Sequence, residues 1–286
     1  MDALEPIEPA PPMSARYHRP VAPSTWLKEL WGSRDLVTAL TIRELQARYK
    51  HAVLGCLWAL LVPLTLMLVF TTVFRRVAHV ETGDAPYAVF AYLGLLVWTF
   101  FSTAVSLASQ SLLSNAQLFN RVYFPREVFP LGAVAVAAVD NGVALVALGL
   151  LFLLTGTAPH VSLAHAPALV VLLGVVYAWT IAVSLIVATA VVYLRDLRHL
   201  LPIVLQVGII ATPVAYGFDS IPGSQRRWYS LANPLGPVID GFRRVLLYDR
   251  APQWGLVGLG ALSAGVGLVV AYAVFKRLET GLADIA

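Results

Sequence analysis

Charge is what this sequence has least of. Only 13% of its 286 residues are Asp, Glu, Lys or Arg, against 58% that are apolar, and the mean hydropathy is +0.75. A soluble domain carries about 25% charged residues. The missing charges are those that would cover a wet surface, which excludes an ordinary soluble fold and points to a helical protein with lipid as its main solvent. Cysteine is nearly absent. Cys56 is alone, so neither an intrachain disulfide nor a cysteine-built metal cluster is available. Lysine is scarce too. Lys28, Lys50 and Lys276 are the three in the chain and none follows a glycine, which rules out a phosphate-binding loop that needs Gly-Lys followed by Ser or Thr. Acids on the polar segments stand singly, as Glu127, Asp196 and Glu279, so the paired carboxylates of a metal-dependent membrane glycosyltransferase are missing. His160 and His165 have no carboxylate near them in sequence, no Ser/His/Asp set stands out, and no metal site is expected.

What is there is a series of long apolar runs with short polar breaks. Residues 1–24 are rich in Pro and Glu, lack an apolar core and read as a disordered cytoplasmic tail rather than a signal peptide. Residues 25–50 read as an amphipathic interface helix. Ser33 is the expected N-cap of its second part, Leu36, Val37, Leu40 and Leu45 form the apolar side, and Arg34, Arg43, Glu44, Arg48 and Lys50 the polar one. Six spans follow within residues 51–280, at about 52–74, 87–108, 128–154, 167–193, 199–217 and 253–275, each close to the roughly 20 residues that cross a bilayer. The fold class is therefore all-α and polytopic. An even number of spans puts both termini on one side. Thirteen Lys and Arg fall on that side and seven on the other, so the positive-inside bias makes the termini cytoplasmic. The basic residues flank spans rather than forming a stripe on a soluble face, so no nucleic acid is expected.

Between spans five and six the polar stretch is structured. Asn233-Pro234 is a helix-start signal, and Leu235, Val238, Ile239, Phe242, Val245 and Leu246 then recur at helical spacing over about 234–248. A shorter apolar helix is expected before it, after Pro222-Gly223. Five arginines in residues 218–252 depart from the charge bias of an outer segment. Asp140-Asn141 lies inside span three, where an ionisable group is either functional or a packing device. Trp58, Trp98, Phe100, Tyr177, Tyr216 and other aromatics cluster near span ends, chiefly as an interfacial belt. Those that face a pore could stack on sugar rings.

Four segments in order carry a resemblance. They are Arg43, Arg48-Tyr49-Lys50, Leu54-Gly55, Trp58 and Pro63; Val122-Tyr123-Phe124-Pro125-Arg126-Glu127 with Pro130; Arg195-Asp196; and Asn233-Pro234 followed by Arg243. On a six-span chain they resemble the ABC-2 type permeases that export cell-surface polysaccharides such as O-antigen, capsule, teichoic acid or galactan, over about residues 25–280. The resemblance implies a homodimer of permeases in the inner (cytoplasmic) membrane, paired with two copies of a separate ATPase that binds the ATP and Mg, with no cofactor in this chain. It implies that Phe124, Pro125, Arg126 and Glu127 couple to the ATPase. It implies that Arg34, Arg43, Arg48, Tyr49 and Lys50 lie where the head group of a polyprenyl diphosphate-linked glycan arrives. Asn233, Pro234 and Arg243 would belong to an outer gate, and Trp58, Tyr216 and Asp140 are channel candidates. An ABC-2 exporter of a drug, peptide or lipid is the alternative within the same fold, and a passive membrane anchor the alternative outside it.

Overall fold

A computed structural model describes residues 32–50, 55–77, 85–115, 125–157 and 162–279, together with 83 and 159. Among these residues every regular element is helical. The helices are α1 (Arg34–Tyr49), α2 (Trp58–Phe70), α3 (Tyr87–Ser114), α4 (Val128–Thr155), α5 (Ala166–Tyr193), α6 (Leu197–Ala211), α7 (Arg226–Ala232), α8 (Leu235–Tyr248) and α9 (Trp254–Glu279). A 3-10 turn, Gly55–Leu57, leads into α2, and a π-helical stretch, Thr71–Val77, continues it.

Four helices, α3, α4, α5 and α9, are long and apolar enough to cross a membrane. They coincide with expected spans two, three, four and six. The expected spans one and five correspond to α2 and α6, which are shorter. Span five was expected to reach residue 217. The helix stops at Ala211 because Thr212 precedes Pro213 and is extended (φ −86°, ψ 139°), the conformation that a following proline imposes. Span two runs six residues past its expected end. The hydroxyls of Ser109, Ser111 and Ser114 donate to carbonyls three or four residues back in their own helix, so a polar-looking stretch remains helical.

α3 is the central helix: 78% of its most apolar window is buried, against 22–39% for the other three spans. The helices alternate in direction. Leu112, Phe129, Val192 and Phe275 share one apolar cluster at the end where α3 and α5 finish and α4 begins. Tyr87, Phe90, Leu148 and Phe152 share another near the opposite end. The pair α7–α8 sits at that opposite end. It packs so tightly that a Cβ on Gly236 would lie 2.5 Å from the Tyr229 ring.

α1 packs along the N-terminal half of α4. Leu40 approaches the site of a Gly132 side chain at 3.8 Å, and eight residues further along both helices Arg48 meets Asp140. α1 therefore advances alongside α4, in the same direction, with Leu36, Val37, Leu40 and Leu45 half-buried and Thr41 buried. The Ser33 hydroxyl makes no cap hydrogen bond; its carbonyl accepts from the Leu36 and Val37 N–H groups.

Candidate functional site

The side chains of Arg48 and Tyr49 end α1 and converge on one carboxylate. Arg48 Nη1 donates to Asp140 Oδ2 at 2.7 Å and the Tyr49 hydroxyl donates to Asp140 Oδ1 at 2.6 Å. Asp140 lies near the middle of the 28-residue α4, about 18 Å along the helix from Val128 at roughly 1.5 Å per residue. A carboxyl group at that depth is stabilised by polar partners, and adjacent residues of α1 supply a guanidinium and a phenol. Burial and then the neighbouring carboxylate push the Tyr49 hydroxyl up to about 12, so it keeps its proton and remains a donor.

This cluster forms one wall of a cavity of about 410 Å³. α2 contributes Trp58 and Pro63, α3 contributes Trp98, Thr99, Phe100, Ser102 and Thr103, α4 adds Asn141, and Ile209 of α6 completes it. Trp58 and Val62 are 52% and 53% exposed, which places their flank of the cavity on the outside of the bundle. Gly208 fixes the opposite wall: a Cβ there would stand 2.6 Å from the Trp98 ring. Asn141 Oδ1 is buried and accepts no hydrogen bond among the described residues. The cavity combines a cation, a carboxylate, a phenol, an amide and hydroxyls with two indoles. That set suits binding a polar, ring-bearing ligand.

The sequence-predicted residues thus separate into groups. Arg48, Tyr49, Asp140 and Trp58 come together. Arg43 does not join them; it donates to Asn115 Oδ1 at 2.6 Å, at the C-terminus of α3. Arg34 lies 3.6 Å from the exposed Asp35, and Lys50 is exposed. Trp98, Asn141 and the α3 hydroxyls are cavity residues that local patterns could not single out, although Trp98 and Asn141 stood out as an aromatic and as the neighbour of Asp140.

A second group lies at the α4 N-terminus. Phe124 is outside the described residues. Glu127, only 1% exposed, accepts from Lys276 Nζ at 2.8 Å, and Lys276 also donates to Glu279 at 2.9 Å. The Arg126 guanidinium donates to the Glu279 carbonyl. Pro125, Arg126 and Glu127 are thereby fastened to the end of α9. Burial raises the pKa of Glu127, and Lys276 opposes that shift.

The third group accounts for three of the five arginines in residues 218–252. Arg243 is 1% exposed. It donates to the carbonyls of Phe90, Pro213, Tyr216 and Val214 at 3.1, 2.9, 3.1 and 2.5 Å, with its guanidinium 3.5 Å from the centroid of the Phe90 ring. Arg226 pairs with Asp219, and Arg244 with Asp240. Asn233 Oδ1 accepts from Leu235 N–H, while its amide donates to Thr212 and Tyr229. The expected cap is real but displaced by one residue, since α8 begins at Leu235. Tyr216 and Tyr229 hydroxyls donate to the last carbonyls of α6. Tyr216 serves this knot and does not line the cavity. Nearby, Ser162, His165 and Asp249 meet, a set that did not stand out in the sequence. Ser162 Oγ and Asp249 Oδ1 both contact His165 Nδ1, so the imidazole cannot relay a proton from one to the other through its two nitrogens.

Four helices long and apolar enough to span, around a cavity with charged and hydroxyl groups on its walls and a braced pair of short helices at one end, define a multi-pass membrane protein. Comparison with known proteins gives the family. The model of the ABC-2 type transporter family matches residues 35–247, and this chain belongs to that family. It is 30% identical over 262 residues to the O-antigen export system permease protein RfbA of Myxococcus xanthus, covering 90% of this chain and 98% of that protein. It is 26% identical over 251 residues to the protein of the same name from Klebsiella pneumoniae, covering 88% and 95%. It is 24% identical over 255 residues to the polysialic acid transport protein KpsM of Escherichia coli, covering 86% and 94%.

Proposed function

We propose that this chain is the membrane permease subunit of an ABC transporter that exports a polysaccharide, powered by a separate ATPase subunit. The observation that carries this reading is the near full-length match to polysaccharide-export permeases, 98% of the Myxococcus xanthus protein. In this reading the polymer crosses the cytoplasmic membrane while linked to a polyprenyl diphosphate, two copies of the chain pair with two ATPase copies, and ATP and Mg are bound by the ATPase. Residues 1–24 are a cytoplasmic tail, residues 25–50 an amphipathic interface helix, and residues 51–280 the transmembrane domain. α2 and α6 serve as its two short spans, bringing the number to six, with both termini cytoplasmic.

The residues divide by role. Phe124, Pro125, Arg126 and Glu127 couple to the ATPase. Arg34, Arg43, Arg48, Tyr49 and Lys50 receive the lipid head group, the pair Arg48 and Tyr49 being the two that reach the cavity. Asn233, Pro234 and Arg243 hold the outer gate, α7–α8. Trp58 and Asp140 line the path. The charged brace of Arg126 and Glu127 on Lys276 and Glu279 supports a mechanical role for the coupling segment, because a displacement there pulls on α9. Deleting the gene in its host tests the function. Loss of surface polysaccharide with accumulation of lipid-linked polymer inside the cell is expected. Unchanged surface polysaccharide together with new sensitivity to a drug or peptide would overturn it.

A further inference from the structure

The two donors that end α1 bind both oxygens of one carboxylate. Arg48 takes Oδ2 and Tyr49 takes Oδ1. A planar guanidinium beside a phenol is a cradle for any oxyanion that presents two acceptor oxygens, and here the chain itself fills it. Among the described residues Thr41 is the one buried residue of α1, and Arg43 donates to Asn115 at the end of α3. Beside the occupied cradle lies the cavity of about 410 Å³, and on its wall Asn141 Oδ1 accepts no hydrogen bond among the described residues. The cavity and the filled oxyanion cradle stand side by side.

We propose that Arg48 and Tyr49 form the binding cradle for the diphosphate head group of the exported lipid and that Asp140 occupies this cradle at rest as a built-in competitor, which the arriving head group displaces. The proposal rests on the head-group reading given above and adds the role of Asp140. Displacement frees the C-terminal end of α1 from α4 and opens the cavity toward α2, so occupancy by the ligand and release of the helix are one event. Asp140 is a positioning residue here: it acts on the ligand through Arg48 and Tyr49. Generic attraction to anionic lipid needs no such competitor, because it is not tied to one pair of donors.

The test is a binding titration on the full-length chain in phosphatidylcholine nanodiscs. The probe is a long-chain polyprenyl diphosphate, with phosphatidylglycerol as the arm for generic anionic lipid. Asp140→Asn is expected to bind the diphosphate at least fivefold more tightly than the unmodified chain, with no comparable gain for phosphatidylglycerol. Arg48→Gln is expected to abolish the gain in the double variant. The charge exchange Arg48→Asp with Asp140→Arg restores an ion pair and is expected to melt like the unmodified chain yet bind no diphosphate, which decides the matter even if Asp140→Asn is unstable. Unchanged or weaker binding by a folded Asp140→Asn, with binding still lost in Arg48→Gln, would overturn the competitor and leave the head-group reading standing. Full binding by Arg48→Gln or by the charge exchange would overturn both. Equal gains for the two lipids would reduce the site to surface electrostatics and overturn the cradle.

Discussion

Arg243 shows what a single side chain does in this fold. Its guanidinium spans four carbonyls from α3 and from the segment after α6, a planar array that lysine cannot match with one ammonium. Burial draws its pKa down to about 9, so it stays a cation at neutral pH. Arg243→Lys leaves at least one buried carbonyl without a donor, and a buried unpaired group costs roughly 1–3 kcal/mol. We expect a clear fall in the melting temperature of the detergent-solubilised protein. Gly94→Ala tests the same knot from the other side. Its Cβ would stand 2.7 Å from Arg243 Nη2 and from the Val214 carbonyl, and overpacking of this kind costs about 1–3 kcal/mol. A melting temperature unchanged by either substitution would remove Arg243 as the fastening of the outer segment.

At the scale of elements, α9 is joined to both ends of the bundle. Lys276 and Glu279 grip Arg126 and Glu127. Further up the same helix, Ser263 donates to the Leu231 carbonyl at 2.6 Å and Gly260 lets Pro234 approach. Glu127 gives this brace a pH signature. Its pKa is raised by burial against the pull of Lys276, so folding binds a proton there between the ordinary carboxylate value and the raised one. Its contribution to stability is therefore greatest below the unfolded value and is lost as pH rises through the folded one. Lys276→Met removes the opposing cation and widens that window. The loss in melting temperature relative to the unmodified chain should grow as pH rises above the ordinary carboxylate value. A difference independent of pH would mean that Glu127 is not the group left unpaired. The elements themselves were legible because their causes are local. Apolar runs, Asn233-Pro234 and Pro213 mark where helices begin and stop within a few residues. Hydrogen bonds from serine hydroxyls to their own helix, which lengthen α3, were hidden because serine reads equally well as a loop residue.

For the whole molecule, the pairings that make the site were not legible. Arg48 and Asp140 are separated by 92 residues and Glu127 and Lys276 by 149, while helical periodicity reports only which face a residue occupies. The sequence singled out Arg48, Tyr49, Asp140 and Trp58 individually; only packing of α1 along α4 unites them. The alternation of helix directions places Ser114, Val128, Tyr193 and Glu279 at one end and the α7–α8 pair at the other. Cytoplasmic termini then predict a labelling pattern. In a Cys56→Ser background, His199→Cys should react with an impermeant thiol reagent only in inverted vesicles, and Trp228→Cys only in intact cells or spheroplasts. The reverse pattern would invert the topology.

The central claim, export of a polysaccharide by this chain with a separate ATPase, is tested most directly by reconstitution. The chain and its ATPase subunit are incorporated into liposomes carrying the lipid-linked polymer, and the glycan reaching the opposite leaflet is measured with an impermeant lectin. The account predicts lectin-accessible glycan that appears only with ATP and only when both subunits are present. Transfer that proceeds without this chain, or no transfer while the reconstituted pair hydrolyses ATP and moves another substrate, would contradict it.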